Sequence, residues 1–199
     1  CHCLKERRKA SREKGELFMC SICGILGGNQ EHQREVISAV NETMKTRGPD
    51  QNGIYLSGNV SLGHNRLAII DVENGIQPMT RSYMGHDFTI VYNGELYNTP
   101  ELTALIKEHG VTPKTYCDTE VVLYLYILFG KKCASMLDGI FAFAVYDAAL
   151  DETYLARDRF GIKPLFYAVS GETLIFASEI KALLRYPGIR PEVDRIGLW

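Results

Sequence analysis

The chain has 199 residues, is 46% hydrophobic and carries a formal net charge of −2, enough for one sizeable core and little more than one domain. Residues 1–19 hold six Lys/Arg against three Asp/Glu while residues 20–199 hold sixteen against twenty-one, and so acidic a body weighs against nucleic acid as a partner. The longest apolar run, 121–129, falls short of the ~18–20 residues of a bilayer span, and six irregularly spaced cysteines make no secreted disulfide framework, so no membrane contact and a reducing cytoplasm are expected.

Residues 1–18 are charged and nearly free of aliphatic side chains, which predicts a disordered segment. Lys14-Gly15-Glu16 can be encoded by a purine-rich run like a bacterial ribosome-binding site, which the two codons of Leu17 and Phe18 separate from Met19. Residues 1–19 are therefore expected to be a non-native leader ending in the initiator, and 20–199 the domain proper. A short buried strand is predicted at 22–26, and an amphipathic helix at 31–46 with Val36, Ile37, Val40 and Met44 on one face. The turn-rich RGPDQNG (47–53), with Arg47 and Asp50 paired to one another, leads into strands at 54–56 and 60–67. Another strand is expected at 88–92. Thr99-Pro100 reads as an N-cap followed by proline at the first helical position, opening a helix at 101–109, and a second helix runs from about 118 to 129.

Short strands at 140–147, 153–158, 164–169 and 173–178, then a helix at 179–185, complete the pattern. Strands joined by tight turns imply antiparallel sheet, and two such sheets with helices outside would bury these apolar faces, an α+β sandwich. The last residues, RPEVDRIGLW, begin a new element, so a C-terminal truncation is expected.

Cys20-Ser-Ile-Cys23 is a CxxC, yet no second CxxC or HxxxH pair completes a four-ligand zinc site. Ile22 and Ile25 place it in a hydrophobic strand rather than at a strand-to-helix handover, so Cys23 reads as a small buried hydrophobe. Cys20 differs. With Met19 as initiator, removal of the methionine leaves Cys20 with a free α-amine of intrinsic pKa ~7.7–8.0 beside a thiol of ~8.5, a nucleophile and base on one residue.

Met19-Cys20-Ser21-Ile22, Arg47-Gly48-Pro49-Asp50, Gly63-His64-Asn65-Arg66-Leu67, Tyr92-Asn93-Gly94-Glu95 and Cys117-Asp118-Thr119-Glu120 resemble, in order, motifs of the class II glutamine amidotransferase domain, an N-terminal-nucleophile hydrolase. Within that superfamily RLAIID (66–71), QPM (77–79), YNGELYN (92–98), DGIFAFAVYD (138–147), RDRFGIKPLFY (157–167) and ASEIKALL (177–184) look like glutamine-hydrolysing asparagine synthetase, over residues 19 to about 198. The resemblance implies a four-layer α/β/β/α sandwich of two antiparallel sheets.

It also implies that Cys20 attacks the side-chain amide of glutamine, that the Asn93 side chain and Gly94 N–H stabilise the oxyanion, that Arg66 grips the α-carboxylate, and that Asp118 and Glu95 meet the α-ammonium. Leu67 and Ile69 are expected to line the same site. Asn93-Gly94 alone would read as a hairpin turn, Arg66 as a surface ion-pair partner and Asp118 as an N-cap. His64 reads as packing. Ser21 stands where many relatives have Gly, and Cys117 where Ser or Thr is commoner.

The family continues into a synthetase domain that binds ATP and Mg²⁺ and adenylates aspartate; its phosphate loop is absent from 1–199, so the glutaminase part is expected to need no cofactor of its own. Glutamine and that domain are the implied partners, with a homodimer of the full-length enzyme as a further expectation. Two alternatives stay open: a glutaminase domain serving another acceptor, a sugar or peptide, and a non-catalytic structural domain. Metal or redox chemistry at CSIC comes last.

Overall fold

The computed structural model describes residues 19–28, 32–68, 71 and 73–192; residues 1–18 of the expected leader, the first residue of the predicted helix at 31, Ile69 and the C-terminal 193–199 lie outside the described residues. The chain runs β1 (Ser21–Leu26), α1 (Gln33–Glu42), β2 (Gln51–Ser57), β3 (Val60–Arg66), β4 (Met79–Tyr83), β5 (His86–Leu96), α2 (Thr99–Glu108) and α3 (Asp118–Phe129). A 3₁₀ turn (Gly130–Met136) leads into β6 (Gly139–Asp147), β7 (Glu152–Arg157), β8 (Phe166–Ser170), β9 (Thr173–Ala177) and α4 (Ile180–Leu183).

All strand pairing within the two sheets is antiparallel. One sheet has the order β2-β3-β1-β9-β8 and the other β4-β5-β6-β7. Strand β1 is central because both its faces are apolar: Ile22 packs between the sheets, Cys23 and Ile25 beneath the α1 and α4 layer. The same period of two sends Val91 of β5 between the sheets and Ile90 and Tyr92 toward α2 and α3. Three apolar cores result, one between the sheets and one under each helical pair, which is the expected four-layer α/β/β/α sandwich.

Helix α1 buries Ile37 and Val40 of the predicted stripe, with Val36 at its margin, and the turn that follows buries Met44 in the same core. Helix α3 is apolar on nearly all sides and the eight residues after Asp118 are buried, as befits a helix pinned between a sheet and a second helix.

Several expectations shift. The first helix ends at Glu42 and continues to 47 as turns. Strand β2 begins at Gln51, inside the predicted turn, because residues 51–53 pair with 64–66 of β3. Residue 98, not 99, occupies the N-cap of α2: the Asn98 side chain spends itself on the Met136 carbonyl and the Asp138 N–H instead of on the helix. Strand β4 and the 3₁₀ turn had no counterpart in the periodicity. Asn93-Gly94 lies within β5, paired with residues 142 and 141 of β6, and is no hairpin turn.

Candidate active site

One cavity of about 160 Å³ opens at the end of the sandwich where β1 begins, lined by Met19, Cys20, Arg66, Asn93, Asp118 and Lys163 among others. Cys20 precedes β1 by one residue and continues the register of Ile22, so its thiol sits at the mouth between the sheets. Cys23 lies on the opposite face, fully buried, with Sγ 3.6 Å from the Asn41 Oδ1 and burial pushing its thiol far up. A strand's period of two thus separates the CxxC pair, and both thiols are unbridged. The Leu67 N–H points at the Cys20 Sγ from 3.4 Å. Burial raises the Cys20 thiol, against the Leu67 N–H and the charges of Arg66 and Lys163.

The entry to β1 is clamped by Arg47, which donates from Nε to the Cys20 carbonyl at 3.4 Å and pairs with Glu179 at 3.2 Å. Asp50 accepts from the Ala68 N–H at 3.0 Å. The expected Arg47–Asp50 pairing is therefore replaced by two separate ties, one to the last helix and one to the strand end after Arg66; both fix the loop around the thiol.

Asn93 is buried on the same inter-sheet face as Val91, and its Nδ2 has no hydrogen-bond partner among the described residues. Gly94 stands opposite Phe141, whose N–H and carbonyl both turn to Asp158 on the β7 side, at 3.3 and 2.8 Å. Gly94 is thus a non-hydrogen-bonded position of the β5–β6 ladder, and its N–H is directed away from β6. Two residues earlier the same edge is occupied, the Tyr92 N–H donating to the Gln77 Oε1 at 2.6 Å. At Gly94 no such group intervenes among the described residues, and Gly94 lines the cavity. Only glycine fits there, since an added Cβ would sit 2.5 Å from the Tyr92 hydroxyl.

His64 is fully buried between the sheets with Nε2 3.1 Å from the Tyr92 carbonyl. Burial pushes the imidazole down to about 3, against the Tyr92 contact, so it is neutral and donates from Nε2. This ties β3 to β5 next to Asn93, more than the packing role expected.

Arg66 is buried, its guanidinium held by the Gln51 Oε1 at 2.8 Å and the Asp71 carbonyl at 2.7 Å, with Gly75 so close that a Cβ there would meet the guanidinium. Asp118 is the first residue of α3 rather than its cap, which is Cys117. Burial raises its carboxyl, opposed by the Tyr92 hydroxyl at 3.1 Å and by backbone N–H groups. The turn before α3 is held by buried Glu120, which accepts from the Arg81 Nε at 2.6 Å and from the Thr115 N–H and hydroxyl at 2.6 and 2.7 Å.

The structure therefore brings Cys20, Arg66, Leu67, Asn93, Gly94, Glu95 and Asp118 to one cavity, Glu95 at its exposed rim; Ile69 lies outside the described residues. Missed were Tyr92, Gln77 and Lys163. Tyr92 and Gln77 sat in motifs quoted for resemblance, but their role as struts follows only from the pairing of β5 with β4. Lys163 comes from a loop over a hundred residues from the nucleophile in sequence, and only the sheet topology reveals that it borders Cys20.

A family model described as glutamine amidotransferase domain matches residues 19–199. An asparagine synthetase [glutamine-hydrolyzing] 3 of Bacillus subtilis is 42% identical over 182 residues, 90% of this chain and 30% of the relative. A putative asparagine synthetase [glutamine-hydrolyzing] 2 of Methanocaldococcus jannaschii is 38% identical over 183 residues, covering 83% of this chain and 35% of the relative. The chain thus spans about a third of the length of the curated relatives it matches. The solved glutamine phosphoribosylpyrophosphate amidotransferase of B. subtilis, complexed with ADP and GMP, superposes with a TM-score of 0.71 at 23% identity, covering 82% of this chain and 43% of that one, a likeness of fold. With the family model spanning all the described residues, the chain belongs to the glutamine amidotransferase domain family.

Proposed function

We propose that this domain hydrolyses glutamine to glutamate and ammonia with Cys20, freed of the residues ahead of it, as an N-terminal nucleophile. The reading rests on one observation above all: buried Asn93, whose Nδ2 has no hydrogen-bond partner among the described residues, lines the cavity that holds the Cys20 thiol. A buried amide donor without an acceptor costs stability unless an acceptor arrives during function. The thiol, raised by burial, needs a base, and the α-amine supplies one on the same residue.

The Cys20 S–H proton passes to the amine as Sγ bonds to the substrate's amide carbon. The negative charge that develops on the amide oxygen is met by Asn93 Nδ2 and the Gly94 N–H. The C–N bond then breaks, nitrogen takes the proton from the amine and leaves as ammonia, and water attacks the thioester to release glutamate. Arg66 is suited to the α-carboxylate, and Asp118 with Glu95 to the α-ammonium. The chain's relatives extend well beyond it, and we assign to that remainder the ATP- and Mg²⁺-dependent use of ammonia to make asparagine from aspartate.

Two preparations test this: one with Cys20 as first residue and one retaining residues 1–19. The first is expected to release ammonia and glutamate in equal amounts and to take up an electrophilic glutamine analogue on Cys20. The second is expected to be inert. Cys20→Ala abolishes turnover, whereas Cys23→Ala keeps it. Equal turnover by both preparations would sink the amine mechanism.

A further inference from the structure

Lys163 is half-buried beside the nucleophile, yet among the described residues no carboxylate lies within ion-pair distance of it. Its Nζ lies 3.2 Å from the Met19 Sδ. Its backbone is tied at both ends: the N–H donates to the Asp158 Oδ2 at 2.9 Å, and the carbonyl accepts from the Arg157 Nε at 3.0 Å. Asp158 also collects the Phe160 and Ile162 N–H groups at 3.1 and 2.9 Å, and Arg157 holds the Gly161 carbonyl at 2.6 Å. A whole turn is thus spent on presenting one ammonium group toward the end of β1. Desolvating that group without pairing it carries a cost that packing alone does not explain.

The place where Lys163 ends matters once Met19 is gone. The ammonium then borders the space that the Met19 side chain leaves, on the cavity it shares with Cys20. We propose that Lys163 sets the charge state of the nucleophile, its positive charge opposing protonation of the Cys20 amine and favouring the thiolate, so that amine and thiol are ready for reaction at neutral pH. This rests on the N-terminal-nucleophile reading above.

Arg66 from β3 also favours the Cys20 thiolate, but its guanidinium is fixed on Gln51 and the Asp71 carbonyl and is assigned above to the substrate α-carboxylate, which would pair its charge. Arg47 is neutralised by Glu179, while Asp118 from α3 and Glu95 from β5 act with the opposite sign. His64 and Tyr92 are neutral at pH 7, the first lowered and the second raised by burial. Burial also lowers Lys163 itself, while the thiol, Glu95 and Asp158 push it back up. Lys163 is therefore the cation beside Met19 that neither an ion pair among the described residues nor the proposed substrate carboxylate occupies.

The test is the pH dependence of glutaminase kcat/KM in the form that begins at Cys20, for the parent, Lys163→Met and Lys163→Arg. Two unit charges several ångströms apart at the edge of a protein shift a titration by roughly one pH unit. The ascending limb should move up by about that much in Lys163→Met, giving about a tenfold loss below it and little at its plateau, and return in Lys163→Arg. Alkylation of Cys20 by iodoacetamide across pH, without substrate, should show the same displacement, which keeps the test valid if Lys163→Met binds glutamine poorly. An unmoved limb together with an unmoved alkylation profile overturns the proposal and leaves the N-terminal mechanism standing. Activity in the preparation that retains residues 1–19 would instead defeat the mechanism on which it rests.

Discussion

Arg66 and Asn93 line one cavity but meet a substrate at different stages of a reaction. A guanidinium on the α-carboxylate binds ground state and transition state alike, whereas an amide donor aimed at a carbonyl oxygen gains most when charge develops there. Arg66→Ala should therefore raise KM for glutamine on the order of 10- to 100-fold with a modest change in kcat. Asn93→Ala should lower kcat about 10²–10³-fold with KM nearly unchanged. Steady-state kinetics on both variants checks the contrast, and equal small effects would place the substrate elsewhere. The chemistry-bearing side chains were legible in the sequence because they sit inside short motifs. The struts behind them were not: His64 read as packing, yet its Nε2 reaches the carbonyl of Tyr92, a contact between strands of different sheets that no local pattern encodes.

At the scale of elements, α3 depends on a buried carboxylate. Burial pushes the Glu120 carboxyl up, but the hydrogen bonds from Arg81 and Thr115 outweigh it and hold the group below its ordinary value. A depressed value means stability that is fully present above the unfolded carboxyl's pKa of ~4.3 and is lost as pH falls through the folded one. Glu120→Gln should cost roughly 1.5–3 kcal/mol at pH 7, the range for hydrogen bonds to a charged group, and much less at pH 3. Urea denaturation at the two pH values measures it. Helix α1 and most strands followed from periodicity, whereas α3, apolar on nearly all sides, carries little of it. Strand β4 did not, because Met79–Tyr83 alternates only weakly and lies at the sheet edge, where Arg81 can leave for Glu120. At Asn93-Gly94 the local preference for a turn gives way to β6, whose pairing holds residues 88–96 in one register.

Across the whole molecule, three cores divide the labour of holding the site. Ile22 lies between the sheets two residues from Cys20, while Ile37 lies under α1, and both are fully buried. Each Ile→Ala change should cost about 2–5 kcal/mol. Ile22→Ala should also lower kcat/KM for glutamine in the fully folded population, since it loosens the strand that carries the thiol; Ile37→Ala should not. Urea midpoints paired with ammonia assays under native conditions separate the two. The layered architecture was legible because antiparallel strands and amphipathic helices leave few ways to bury every apolar face. The sheet order was not, since nothing local says that β1 lies between β3 and β9.

That order has a consequence in time. The first strand receives one neighbour early, β3, but its other neighbour, β9, is the last strand among the described residues, with Cys23 opposite Ala177. Pairings so distant in sequence form late, after the loop between them has closed. On a ribosome adding about 5–20 residues per second, β1 keeps an open edge for many seconds while the remainder of the domain is made. The end that carries Cys20 is therefore the last part of the sandwich to be sealed, and enzymes that trim a nascent chain have that interval in which to reach it.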